Sequence, residues 1–133
     1  MDLSVIVAAR NEEALLGAQL DALLQQQWDG EWEVIVVDNN TQDPAIWQPI
    51  AAHCRELGPR FRFFHIDSLA GFKAGALNYA LGQTSPDAKI VAVIDSDYQV
   101  RSDWLKDLVP MFSDLRMAMV QAPQDYRDGD INT

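Results

Sequence analysis

The sequence predicts an α/β fold: a Rossmann-like, mostly parallel β-sheet with helices on both faces. Three segments are near-continuous apolar runs rich in β-branched residues, as in strands buried on both faces. They are Leu3–Ala9, Glu33–Asp38 and Lys89–Ile94. Helical patterns separate these strands, which is typical of βαβ units. The length of 133 residues suits one domain and not two, so we take residues 1–133 as a single domain.

The first helix is predicted between the first two strands. Asn11 can cap it, and Glu12 and Glu13 lie in its first turn, where acidic residues favour the helix dipole. Leucines recur at the spacing of one helical face: Leu16, Leu20, Leu23 and Leu24. The segment Trp28-Asp-Gly30 is expected to end this helix.

The second helix is predicted from Pro44, which suits a first helical turn, to Leu57. Gly58-Pro59 ends it. Pro49 lies inside the pattern and is expected to kink or split the helix. A weaker strand follows at Phe61–Ile66.

The remaining elements complete a five-stranded pattern. A third helix is predicted at about Lys73 to Gly82, and a fourth starts near Ser102 and is limited by Pro110. A last strand is predicted at Met117–Gln121. Residues 126–133 are polar, and we expect them to form a disordered tail.

Composition excludes several classes of partner. Ten basic residues against 20 acidic ones give a formal charge of -10, which disfavours nucleic acids and anionic membrane surfaces. The single cysteine, Cys54, excludes an internal disulfide and favours a reducing compartment. No apolar stretch approaches the roughly 20 residues that span a bilayer, and no signal peptide is evident, so the chain is expected to be soluble.

Two aspartates, Asp95 and Asp97, follow the apolar run that ends at Ile94 and are separated by one residue. They leave the predicted strand pointing the same way. Converging carboxylates repel each other, and a hard divalent cation such as Mg²⁺ or Mn²⁺ offsets the repulsion. The sequence thus offers Asp95 and Asp97 as metal ligands. The alternative is that Asp95 ends the strand and Asp97 caps the next turn.

Polar residues also follow the first and second strands. In an open α/β sheet, ligands bind at the carboxyl ends of the strands, near the point where strand order reverses. The first strand delivers Ala9, Arg10, Asn11 and Glu12 to this edge, and the second delivers Asp38. A carboxylate at that place is suited to accept a hydrogen bond from a nucleobase or ribose. Asp38 could equally begin a simple turn.

A glycine-bearing loop leads into the third helix, with Lys73 at the junction. Backbone donors and Lys73 could hold a diphosphate there. The alternative is plain helix packing with a solvated lysine. Neither a Gly-x-Gly-x-x-Gly motif after the first strand nor a P-loop motif is present, so dinucleotide redox chemistry and P-loop phosphoryl transfer lose support.

Histidines and tryptophans are assigned structural roles. His53 and Cys54 are neighbours on a predicted helix, where adjacent side chains diverge, so they are not expected to form a catalytic pair. His65 alternates with core residues in a strand. The tryptophans are expected to pack in the core or between helices: Trp28, Trp32, Trp47 and Trp104.

Four segments together resemble the amino-terminal half of a family 2 glycosyltransferase, a nucleotide-sugar enzyme with the GT-A fold. They are Ser4–Glu13, Glu33–Thr41, Phe72–Asn78 with its Lys-Ala-Gly-x-Leu-Asn motif, and Val93–Asp97 with its Asp-x-Asp motif. Each motif is modest alone. All four occur in the order that the family has them, and the resemblance covers nearly the whole chain.

The resemblance implies roles for the candidate residues. Asp38 would contact the uracil or ribose of a UDP-sugar, together with the loop after the first strand, and Lys73 would contact the diphosphate. Asp95 would approach the ribose and donor sugar, and Asp97 would bind the Mg²⁺ or Mn²⁺ that bridges the phosphates, with Asp95 beside it.

A later stretch of the sequence resembles a narrower group of enzymes. Met119–Arg127 resembles the Val-Gln-Thr-Pro-Gln segment of processive synthases of the cellulose-synthase type. The implied donor is UDP-glucose, the implied product a β-glucan built on a carbohydrate acceptor, and the implied parent a bacterial inner-membrane protein with a cytoplasmic catalytic domain.

The sequence departs from the family pattern in two places. The usual Asp-Asp-Gly-Ser is here Asp38-Asn-Asn-Thr41, which lacks a second acidic contact. The family's general base and acceptor motifs have no match in the chain. We therefore expect a truncated, donor-binding half that binds a UDP-sugar with little transfer, and that pairs with a second copy through an exposed sheet edge.

Rival classes remain open. A sugar-phosphate nucleotidyltransferase shares a related fold, but it would carry a glycine-rich, basic loop where this chain has Ala9–Glu13. A phosphohydrolase would place its Asp-x-Asp pair early in the chain. A non-catalytic metal- or nucleotide-binding module, such as a receiver-like domain, would gather its acids after strands one and three.

Overall fold

The computed structural model of the protein describes residues 3–9, 13–28, 30–67, 72–95 and 100–108. Its strands are β1 (Leu3–Ala9), β2 (Trp32–Asn39), β3 (Phe61–Ile66) and β4 (Ile90–Asp95). Its helices are α1 (Glu13–Leu24), α2 (Pro44–Leu57), α3 (Phe72–Gln83) and α4 (Trp104–Leu108). This strict alternation of strands and helices confirms the predicted α/β fold.

The described strands form one parallel sheet in the order β3-β2-β1-β4. The chain moves outward from β1 to β2 and β3, and then returns to the other side of β1 as β4. Strand order therefore reverses at β1, and the carboxyl edge beside β1 is where α/β sheets of this kind bind ligands.

Helices cover both faces of the sheet. On one face, alternate residues of β1 and β2 such as Val5 and Val34 pack against α1, α2 and α4. On the other, Ile6, Ile35 and Val37 pack against Ala76 and Ala80 of α3. All of β1 and β2 is buried except for Ala8, which is half-buried, and this double burial explains why both strands are continuous apolar runs.

Helix α2 has the predicted bounds. The Asp43 side chain caps its amino end by accepting a hydrogen bond from the Ala45 amide at 2.9 Å, and Pro44 occupies the first turn. The prediction that Pro49 splits the helix is wrong, because α2 runs without a break from Pro44 to Leu57. Gly58 follows with a φ of 113°, which disfavours any side chain and ends the helix.

Hydrogen bonds join the segment after α1 to the start of helix α4. The Gln26 amide oxygen accepts a hydrogen bond from the Leu105 amide at 2.9 Å, and its nitrogen donates to the Arg101 carbonyl at 2.6 Å. The Gln27 amide also donates to the Ser102 carbonyl at 2.8 Å. The segment that follows β4 is therefore tied to the far end of α1. Helix α4 begins at Trp104, slightly later than predicted, because residues 102 and 103 form a turn.

Some expectations fall on residues that the structure does not describe. They include the predicted cap Asn11, the predicted first-turn residue Glu12, the predicted strand at Met117–Gln121 and the tail at 126–133. Across the described ranges, none of the helices is long and apolar enough to cross a membrane.

Candidate functional site

The carboxyl ends of three strands meet at β1. The register pairs Ala9 of β1 with Asp38 of β2, and Ala8 of β1 with Asp95 of β4. Asp38 lies on one neighbour of β1 and Asp95 on the other. Since neighbouring strands are about 4.8 Å apart, each of the two backbones is one strand spacing from β1. The two acidic positions predicted from separate motifs are thus brought to one edge of the sheet.

The structure describes the other predicted site residues unequally. Ala9 ends β1 and is buried, with 5% of its surface exposed. Lys73 lies in the first turn of α3 and Asp95 is the last residue of β4, but the side chains of both fall outside the described part. Outside it entirely are Arg10, Asn11, Glu12 and Asp97.

Asp38 is completely buried, with 0% of its surface exposed. Its Oδ1 accepts a hydrogen bond from the Thr41 hydroxyl at 2.5 Å. The intervening Asn40 has a φ of 67°, a left-handed conformation that glycine and asparagine adopt most readily. Asn40 therefore occupies the place of the usual glycine in Asp-Asp-Gly-Ser, and the left-handed residue turns the chain back so that Thr41 reaches the carboxylate.

The second oxygen of Asp38 contacts His65. The two residues are register partners on β2 and β3, and His65 Nδ1 lies 2.6 Å from Asp38 Oδ2. The other ring nitrogen, Nε2, lies 2.7 Å from Oδ1 of Asp67. His65 thus bridges a buried carboxylate and an exposed one, with side-chain exposures of 0% for Asp38 and 76% for Asp67.

The ring of His65 is stacked on Trp47 of α2. Their ring centroids are 3.9 Å apart and their planes differ by 10°. Trp47 also stacks on Phe63 at 6.2 Å. Trp47 thus has the packing role expected of it, and it packs against His65, the residue that contacts Asp38.

Sequence reasoning missed the connection between His65 and Asp38, because it treated His65 as a residue of the strand interior. One signal could have revealed it. Asp38 and His65 are each the next-to-last residue of their strands, and parallel strands that end at the same sheet edge pair such positions.

The His53 and Cys54 positions agree with a structural role. The pKa of the Cys54 thiol is raised to about 12 by burial, which suppresses the reactive thiolate. His53 instead contacts Asp21 of α1, with Nε2 and Oδ1 at 2.8 Å. The contact joins α1 to α2 near the protein surface.

Within the described residues, no three His, Cys, Asp or Glu side chains are grouped closely enough to hold a metal ion. The proposed ligand set fits a hard cation in its chemistry, since carboxylate oxygens are preferred by Mg²⁺ and Mn²⁺. Its geometry depends on Asp97 and the Asp95 side chain, which lie outside the described part of the chain.

Comparisons with known proteins agree with the fold. The structure of Staphylococcus aureus TarS 1-349 in complex with UDP superposes with a TM-score of 0.71 at 24% identity, over 94% of this chain and 39% of that one. Glucosyl-3-phosphoglycerate synthase from Mycobacterium tuberculosis, solved with Mn²⁺, UDP and phosphoglyceric acid, gives a TM-score of 0.52 at 28% identity, over 74% of this chain and 34% of that one.

Sequence comparison identifies the family. The β-monoglucosyldiacylglycerol synthase of Trichormus variabilis is 36% identical over 121 residues, which are 89% of this chain and 25% of that protein. This chain therefore spans about a quarter of that relative's length. The model of the family described as Glycosyl transferase family 2 matches residues 4–133. Because that match takes in almost the entire sequence and the sheet has the corresponding fold, the chain belongs to glycosyl transferase family 2.

Proposed function

We propose that this chain binds the nucleotide-sugar donor of a metal-dependent, inverting hexosyltransferase. The observation that supports this most is the convergence of Asp38 and Asp95 on either side of β1, where the strand order reverses. The two acids sit where an α/β sheet binds ligands. The solved complex of the related mycobacterial synthase contains both UDP and Mn²⁺, which supports the same pair of ligands here.

Each candidate residue takes one part of the donor. Asp38 and the loop Ala9–Glu12 serve the uracil and ribose, and Lys73 serves the diphosphate. Asp97, with Asp95 beside it, would hold Mg²⁺ or Mn²⁺. A divalent cation supplies charge stabilisation to a departing nucleoside diphosphate. The protein carries a formal charge of -10, so the cation also offsets the repulsion between the acidic sheet edge and the diphosphate.

The buried carboxylate of Asp38 has remaining capacity for a ligand. Each carboxylate oxygen has two acceptor sites, and the Thr41 hydroxyl and the His65 ring use one site on each oxygen. Because Asp38 is fully buried, a base can reach the remaining sites only if neighbouring groups at the sheet edge move aside. We expect this opening to accompany donor binding.

The donor that we favour is UDP-glucose. Two relatives are named for glucosyl transfer, one of them solved with UDP. We retain a β-glucan as the product, since Met119–Arg127 resembles a segment of processive synthases. The lipid product named for the Trichormus relative makes a diacylglycerol the other acceptor to test. Deprotonation of the acceptor hydroxyl is a step that we assign to no residue of this chain.

Isothermal titration of the chain with UDP, with and without Mn²⁺, tests the proposal. We expect metal-dependent binding, and we expect Asp97→Asn to weaken it at least about tenfold, since it removes a charged metal ligand. Asp107→Asn is the matched control, because Asp107 is an exposed aspartate of α4 and its loss should leave binding unchanged. A folded sample that gives no metal-dependent heat would contradict the proposal.

A further inference from the structure

We propose that His65 is a positioning residue for donor recognition, which holds the Asp38 carboxylate in place through a hydrogen bond from Nδ1 of its ring. The inference rests on the proposed function and adds a residue to it. It depends on four contacts at the end of β2 and β3: Asp38 with Thr41, Asp38 with His65, His65 with Asp67, and His65 with Trp47.

The hydrogen bonds of His65 specify which form of the ring fits. Ionised carboxylates only accept hydrogen bonds, and a neutral imidazole has one donor and one acceptor. Both ring nitrogens of His65 lie within 2.7 Å of a carboxylate oxygen. Only the imidazolium, which carries a proton on each nitrogen, donates to Asp38 and Asp67 at once. A neutral ring with its proton on Nδ1 still donates to Asp38 and loses only the hydrogen bond to Asp67.

The burial of the Asp38 carboxylate is a second reason for the contact with His65. A fully buried carboxylate needs a paired charge or several donors. Among the residues with described side chains, Asp38 is contacted by the His65 ring and by the Thr41 hydroxyl. The groups that face the His65 ring are Asp38 from β2, Asp67 just beyond β3 and the uncharged Trp47 from α2.

Trp47 fixes the plane of the ring. A stacking distance of 3.9 Å with nearly parallel planes limits rotation of the imidazole and aligns Nδ1 with Asp38. The stack therefore holds the ring in the orientation that the contact with Asp38 requires.

Two near-isosteric substitutions separate the contacts. The amide nitrogen of Asn matches the position of His Nδ1, so His65→Asn can keep the donor to Asp38 while losing the contact with Asp67. The amide nitrogen of Gln matches Nε2, so His65→Gln can keep the donor to Asp67 instead. His65→Leu removes both donors and keeps the bulk of the side chain.

The measurement is UDP affinity in the presence of Mn²⁺, with thermal unfolding of each variant recorded alongside. We expect His65→Leu and His65→Gln to bind UDP about tenfold more weakly, which is the scale of one charge-assisted hydrogen bond. We expect His65→Asn to bind within about threefold of wild type. A role confined to stability would instead change the unfolding temperature and leave the affinity of the folded variants equal.

Nitrogen NMR of the two histidines provides the second readout. It should show a proton on Nδ1 of His65, the ring atom that faces Asp38, with the His53 ring as the internal comparison.

The outcomes are distinguishable. Weaker binding by the Leu and Gln variants, with rescue in the Asn variant, would support the inference. Equal affinity in wild type and all folded variants would overturn it and leave the proposed function standing. No metal-dependent UDP binding by folded wild type would overturn the proposed function and the role of His65 with it.

Discussion

Glu33 is a charged residue placed in the interior at the amino end of β2, where 6% of its surface is exposed. Its Oε2 accepts hydrogen bonds from the Ser4 hydroxyl at 2.6 Å and the Ser85 amide at 2.9 Å, and its Oε1 accepts one from Arg62 at 3.1 Å. Burial by itself raises the pKa of Glu33, but these donors outweigh it and hold that pKa below its ordinary value.

The lowered pKa of Glu33 predicts a loss of stability in acid. Since the carboxylate is favoured in the folded state, its contribution is present above the ordinary pKa of 4.5 and disappears as the pH falls through the folded-state value. We expect Glu33→Gln to lower the free energy of unfolding by about 2 kcal/mol at neutral pH and to reduce its acid dependence. Urea denaturation at neutral and acidic pH measures both.

Glu31 offers the matched control for this experiment. It is an exposed residue two positions earlier in the chain, so Glu31→Gln should change the free energy of unfolding by less than about 0.5 kcal/mol. Identical acid dependence in wild type and Glu33→Gln would show that the Glu33 network does not stabilise the charged form.

Contacts between individual side chains are the feature of the fold that is hardest to predict from the sequence. Asp38 was identified from its place at the end of an apolar run, but its pairing with His65 depends on the register between β2 and β3. Glu33 was recognised only as the start of a strand, and its partners lie 29 and 52 residues away in the chain. Contacts over such separations follow from the strand order and register, which local patterns do not contain.

Among the elements, α2 shows how tertiary packing overrides a local signal. Pro49 lacks an amide hydrogen, so it cannot complete the helical hydrogen bond to the Ala45 carbonyl. The helix nevertheless continues, because Ile50 and Cys54 are buried against the sheet. The capping Asp43 and the initial Pro44 were readable from sequence, whereas the benefit of burying the helix beyond Pro49 was not.

We therefore expect Pro49→Ala to stabilise the protein. The proline is exposed, so alanine restores the missing hydrogen bond without altering the core, and the gain should be about 1–2 kcal/mol after allowing for a more flexible unfolded chain. Chemical denaturation measures it. Pro44→Ala is the control, because a proline in the first turn loses no hydrogen bond; that variant should be neutral or slightly less stable. A loss of stability in Pro49→Ala would contradict this account.

For the whole molecule, the succession of elements was largely predictable. Buried parallel strands are recognisable by their continuous apolar runs, and glycine, proline and polar caps mark the helix ends. The strands β1 and β3 and the helix α2 have the predicted bounds. The placement of β4 beside β1 required the structure, since nothing in the sequence of a strand specifies its neighbours.

Strand β4 leaves apolar surface uncovered in the described part of the sheet. It is the edge strand there, and Val91 and Val93 are 40% and 48% exposed. We expect the chain to self-associate through this strand, and we expect the double substitution of Val91→Thr with Val93→Thr to reduce association while keeping the β-branched shape. Light scattering over a range of concentrations measures the change.

Leu81 provides the comparison for this edge. It is 49% exposed on α3, so Leu81→Thr removes exposed apolar surface at a different place. Association that responds to Leu81→Thr and not to the valine substitutions would place the contact on the helix instead of the sheet edge.

The Gln26 contacts join parts of the chain that lie far apart in sequence. Arg101 and Leu105 are 75 and 79 residues from Gln26. The entropic cost of closing a loop is set largely by bringing its ends together, and the pairing of β4 with β1 already spans most of that separation. The two hydrogen bonds therefore form at little further cost in chain entropy.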